Sequence, residues 1–177
     1  MSEFDLVHPK TITSDKFEYK GANFTITADS VEYSGHNPEP YVWAFFRTDI
    51  RSGSTQPSPP PHWICLSCDK YFITDQFDFK VYWDLENMTI KDYFIEVSND
   101  KEHWTAVYSG TIPRTDVYDA SCKFNAVMCK HIRLRNISTY DNRGYAWIQV
   151  SSCRVYGKLA AYNKLYKDKF YNMYGIY

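Results

Sequence analysis

The stretch "QFDFKVYW", Gln76 to Trp83, is the strongest constraint on what this chain can become. Phe77, Phe79, Val81 and Trp83 fall on one side of an extended backbone; Asp78, Lys80 and Tyr82 fall on the other. That period of two recurs. "YFIEVSNDKEHW" places Tyr93, Ile95 and Val97 on one face, turns at Ser98 to Glu102, and returns with Trp104, Ala106 and Tyr108. "HIRLRNI" points Ile132 and Leu134 inward, with Ile137 beyond them, and His131, Arg133 and Arg135 outward. "AWIQVSSCRVYG" pairs Ile148 with Val150, then Cys153 with Val155, and the change of phase at Ser151-Ser152 predicts a bulge.

Short strands separated by turn chemistry, with no helices alternating between them, imply an antiparallel sandwich or barrel. Sixteen Tyr and eleven Phe reinforce strand over helix. "FTITADSVEY" (Phe24 to Tyr33) and "WICLSC" (Trp63 to Cys68) read as further strands, with Asp69-Lys70 as a turn. "RTDIRSGSTQPSPPPH", Arg47 to His62, is too rich in Pro and Ser for a ladder or a helix and reads as a long exposed loop. Loops of this length in a compact domain tend to carry function. The 177 residues suit one domain. Residues 1–22 read as a lead-in, 23–157 as the sandwich, and 158–177 as a short amphipathic α-helix. Its apolar positions would be Leu159, Tyr162, Tyr166, Phe170 and Met173.

Composition removes several functional classes. A net charge of −1 gives no basic field for nucleic acid. No apolar run approaches a membrane span, and "STQPSPPP" offers no large apolar spike for a bilayer. "MSEFDLVHPK" lacks the apolar core of a signal peptide. Five cysteines cannot all pair internally, which favours a reducing, intracellular (cytoplasmic) location. Three sequons, at Asn23, Asn87 and Asn136, weigh the other way, and secretion stays open for a chain whose leader has been removed. Cys65 and Cys68 in "CLSC" point to opposite faces of an extended strand, so they read as buried thiols rather than a metal knuckle or redox pair. No nucleophile elbow, zinc-protease motif, phosphate loop or dinucleotide fingerprint is present, and no enzymatic activity is expected.

Four segments then resemble one family in the right order: "HWICLSCDKYFITDQFDF", "YFIEVSNDKEHW", "CKHIRLRNI" and "IQVSSCRVYG", covering Trp63 to Gly157. The chain is similar to the F5/8 type C, or discoidin, domain of the galactose-binding-like folds. The resemblance implies an all-β, antiparallel β-sandwich, a discoidin-like jelly roll, here followed by the short C-terminal α-helix. It also implies a non-enzymatic module that meets a carbohydrate ligand through loops at one end. Rings with nearby Arg, Asn or His are the expected contacts. They are Tyr41, Trp43, Arg47 and His62 around the first long loop, and Asn142, Arg143, Tyr145 and Trp147 from "DNRGYAW". Trp43 and Trp147 also suit a core position. The alternative is an intracellular protein–protein interaction or scaffold domain using the loops or the C-terminal helix.

Many extracellular members are closed by a disulfide between the domain start and the residue after the final Gly. No Cys lies near residues 1–30 here, and Gly157 is followed by Lys158. The family's Asp-Gly loop is not recognisable around Tyr41 to Asp49. The sequence therefore supports no calcium ligand set, and no cofactor is expected.

Overall fold

The computed structural model describes residues 12, 14–30, 46, 53–54, 59–82, 90–114, 117–140 and 148–160. Among these residues eight strands run in chain order: β1 (Lys16–Tyr19), β2 (Ala22–Ala28), β3 (Gly53–Ser54), β4 (Trp63–Tyr82), β5 (Asp92–Ser98), β6 (Thr105–Thr111), β7 (Val117–Asn136) and β8 (Gln149–Leu159). Every pairing is antiparallel.

Two of these strands are 20 residues long and pair with each other nearly end to end. Their register breaks between Ser67 and Phe72, where four β4 residues face Lys130 alone, and again between Thr74 and Gln76. Such insertions bend a ladder. On one side of the first break, Trp63 to Ser67 lie between β2 and the end of β7, and β5 and β6 continue the sheet. On the other side, Phe72 to Val81 lie between the start of β7 and β8, which also carries β3. The same two strands thus serve a larger sheet, β1-β2-β4-β7-β5-β6, and a smaller one.

The two sheets face each other across a shared core. Tyr93 of β5 sets its ring edge-on to Phe79 of β4, with centroids 5.0 Å apart, and its hydroxyl lies 3.5 Å from Cys122 of β7. Ile64, Leu66, Phe72, Phe77, Ile95, Ile132, Leu134 and Val150 are fully enclosed. Phe77, Ile95, Ile132, Leu134 and Val150 belong to the inward set that period-two alternation predicts, as do the buried Phe79, Val81, Tyr93 and Val97. Ile137 instead lies outside the core, 38% exposed. The predicted bulge at Ser151-Ser152 is present: Lys80 pairs with Ser152 and Val81 with Val150, leaving Ser151 unpaired on β8. The hairpin turn closes as expected. Ser98 Oγ accepts from the amides of Asp100 and Lys101, and Asp100 Oδ1 accepts from those of Glu102 and His103.

The sheet also departs from the expectation at three points. β1 falls inside the stretch read as a lead-in, because Lys16 to Tyr19 pair with Ala22 to Thr25. Asp69-Lys70 is not a turn: β4 passes through it as a bulge, and the Asp69 carboxylate holds the Asn23 amide at 2.9 Å and its side chain at 2.8 Å. Residues 158 and 159 are not helical either. Lys158 and Leu159 pair with Ile73 and Phe72, so β8 runs through the predicted helix start. Among the described residues there is no α-helix to support that prediction, and its remaining residues, 161–177, lie outside the described set.

Gly157 is fixed by this packing. A Cβ there would stand 2.2 Å from the carbonyl oxygen of Ile73, a backbone atom that cannot swing aside. Gly157→Ala is expected to cost about 1–3 kcal/mol through that clash, read as a drop of several degrees in Tm. An unchanged melting curve would contradict the β4–β8 register.

Candidate functional site

At one rim of the sandwich the start of β4 lies between the end of β2 and the end of β7. Asp29, just past β2, receives the Trp63 amide at 2.8 Å through Oδ1 and His62 Nδ1 at 2.5 Å through Oδ2. Ser30 Oγ adds a third bond at 3.1 Å. His62 in turn gives its amide to the Asn136 side-chain oxygen and takes the Asn136 amide on its carbonyl at 3.0 Å. One carboxylate, one imidazole and one carboxamide so lock the ends of β2, β4 and β7. Burial pushes the Asp29 carboxyl up, but the bonds from His62 and Trp63 and the nearby imidazole outweigh it and hold the carboxyl below its usual range. Asn136 Nδ2 is buried and has no hydrogen-bond partner.

Of the eight residues expected at the loop end, His62 alone falls in the described set. Tyr41, Trp43, Arg47, Asn142, Arg143, Tyr145 and Trp147 lie outside it. The His62 side chain is only 2% exposed and is held by Asp29, so it braces the rim. Sequence alone could not show this, since the partner is 33 residues away.

A second cluster anchors the start of β5. Asp92 Oδ1 accepts from Thr111 Oγ1 at 2.7 Å, and Oδ2 from Ser138 Oγ at 2.5 Å. Ser138 and then Thr111 draw its carboxyl below the usual range. Its carbonyl takes the Ile137 amide at 2.7 Å, and Tyr140 caps Ile112 at 2.7 Å. Beside this cluster a shallow groove of ≈ 270 Å³ opens on the sheet, lined by Asp92, Tyr93, Phe94, Ser109, Gly110, Thr111 and Ile137.

Further along the same outer face lies a charged triad. Glu96, with its side chain 5% exposed, accepts Arg133 Nε at 2.6 Å and both Nε and Nη2 of Arg135, at 3.0 and 2.8 Å. The fork of Arg135 is bidentate, the strongest geometry for such a pair. Trp104 lies over Arg133, 3.8 Å from ring centroid to guanidinium, and its Nε1 donates to Lys101 at 2.9 Å. Arg133 and Arg135 were expected in solvent. They are turned instead onto a buried carboxylate, because the β5–β7 register sets Glu96 opposite Arg133 and a buried charge needs partners. The signal available in sequence was the charge match between "IEV" and "IRLRN", which becomes informative only once that register is known. Next in the row, burial and then the charges of Lys101 and Lys130 push His131 down to about 4.

All five cysteines are unpaired and buried, and burial raises each thiol, Cys122 to about 11. Cys68 joins the core, while Cys65 sits opposite Arg133 on the other face, the divergence expected of a strand. Among the described residues no three His, Cys, Asp or Glu side chains gather as a metal site. Nor, among them, is any helix long and apolar enough to cross a membrane.

The architecture has clear counterparts. The CpGH89CBM32-5 module of Clostridium perfringens, solved with GalNAc-β-1,3-galactose, superposes with a TM-score of 0.59 at 19% identity, over 75% of this chain and 94% of its own. The C-terminal domain of a Bacteroides fragilis chitobiase gives 0.62 at 15% identity, over 83% and 100%. A chitosan-binding module from a Paenibacillus sp. IK-5 chitosanase/glucanase gives 0.57 at 23% identity, over 85% and 100%. No family model matches the chain, and no curated protein does. At these identities the likeness establishes the fold alone: an antiparallel β-sandwich shared with these modules.

Glu96→Ala is expected to destabilise the domain by about 2–4 kcal/mol, because it leaves two guanidiniums packed on the sheet without their carboxylate. Urea unfolding reads this directly. A loss under about 0.5 kcal/mol, the scale of an exposed pair, would show that the triad does not brace the face.

Proposed function

We propose that this chain is a non-catalytic recognition module of the F5/8 type C kind, binding a saccharide through the loops at the rim. The observation that carries the proposal is the sandwich itself, shared with solved modules whose names record carbohydrate binding. The latch of Asp29, His62 and Asn136 supports it, because it gives the loops a rigid base. The resemblance supplies the contacts: Tyr41, Trp43 and Arg47 from the first long loop, and Asn142, Arg143, Tyr145 and Trp147 from the last. Rings would lie against the C–H face of a sugar, with Arg and Asn on its hydroxyls. The relatives' recorded ligands point to galactose-type and amino-sugar chains as the first probes. Five unpaired thiols suit a reducing compartment, and we place the module there.

A glycan array carrying galactosides, N-acetylgalactosaminides and chitosan oligosaccharides tests this. Binding of at least one class is expected. Arg143→Ala and Tyr145→Ala should each weaken it about tenfold, the scale of one lost polar or ring contact. A folded chain that binds no sugar overturns the proposal. It would favour a protein partner, with Trp104 and Arg133 of the outer face as the natural anchors.

A further inference from the structure

The groove on the larger sheet lies beside the rim, not within its loops. β5 supplies Asp92 and Phe94, β6 supplies Ser109 and Thr111, and the turn after β7 supplies Ile137. Its ≈ 270 Å³ sits just below the roughly 300–1,000 Å³ of drug-sized ligand sites, which suits one small ring.

Its chemistry is specific. Both oxygens of Asp92 are already fixed by Thr111 and Ser138, yet a carboxylate oxygen accepts more than one bond. Two oriented acceptors at fixed spacing match a pair of neighbouring hydroxyls. Phe94, half-buried, offers a ring, with Arg135 5.6 Å from its centroid. Ile137 is one of two exposed large hydrophobic side chains among the described residues. The β6 wall is built from Ser109 and Thr111, opposite Phe94 and Asp92, and both carry only short side chains. The lining contains a carboxylate and neither Lys nor Arg, so an anionic ligand is repelled and a neutral, hydroxyl-rich one is favoured.

We propose that this groove is a second saccharide subsite, taking a neutral sugar ring with its hydroxyls on Asp92 and its C–H face on Phe94 and Ile137. The inference rests on the saccharide reading of the rim and extends it along the sheet.

The test is ¹⁵N NMR of the intact chain titrated with galactose, N-acetylgalactosamine and chitotriose. Saturable shifts are expected at the amides of Phe94, Ser109, Gly110 and Thr111. They should persist in Arg143→Ala and Tyr145→Ala. In the shape-conserving variants Asp92→Asn and Phe94→Leu they should weaken about tenfold. Saturable shifts confined to the rim loops would overturn the second subsite and leave the rim intact. No saturable shift anywhere would overturn both. The wild-type map depends on no variant, so a folding defect in one cannot hide the answer.

Discussion

The pairing of β4 with β7 is the constraint on which everything else depends. Each strand is 20 residues long, and each crosses from one sheet to the other through a bulged bend. A single ladder therefore belongs to both layers. The core then follows, because side chains that alternate along one ladder point into the same interior from two directions. Tyr93 against Phe79 is that closure seen at one contact. So does the rim, because the antiparallel ladder sets the start of β4 beside the end of β7, where Asp29, His62 and Asn136 tie both to the end of β2.

The outer face of the larger sheet shows what the same register costs and gives. A slip of one residue between β5 and β7 would send Glu96 into the hydrophobic interior and its guanidinium partners away from it. Burying a carboxylate is unfavourable unless it is paired, so the triad with Arg133 and Arg135 penalises every wrong register more than it strengthens the right one. It also leaves Trp104, Arg133, Arg135 and Phe94 as a firm outer layer beside the Asp92 groove. Recognition in this account uses surfaces that the ladder makes rigid: loops on a latched rim and a shallow strip of sheet.

Much of the fold was legible because its signals are local. Period two assigned Phe77, Phe79 and Val81, and Tyr93, Ile95 and Val97, to the core. A phase change marked the bulge at Ser151, and short polar side chains marked the turn after Ser98. The misreadings share a cause, which is that their reasons lie far along the chain. Asp69-Lys70 looks like a turn until Asn23 comes to bind the Asp69 carboxylate. Arg133 looks solvated until Glu96 arrives from β5. Gly157 looks like the end of a strand, whereas close contact with Ile73 is what requires the glycine, and β8 continues past it. Asp92 carried no local signal at all, since its partners Thr111 and Ser138 are distant in sequence. The seven loop residues named from sequence lie outside the described residues and rest on the resemblance.

The most direct test of a rigid two-layer ladder with recognition at its margins is hydrogen exchange on the intact chain, with and without a bound chitosan oligosaccharide or galactoside. Amides of Ile64 to Ser67 and Phe72 to Val81, with their β7 partners, should exchange slowest and as one cooperative unit. Protection added by the sugar should fall at the rim and along the Asp92 groove, and the ladder should be unchanged. If the two halves of β4 open independently, or if the sugar protects the ladder and not those margins, the account is contradicted.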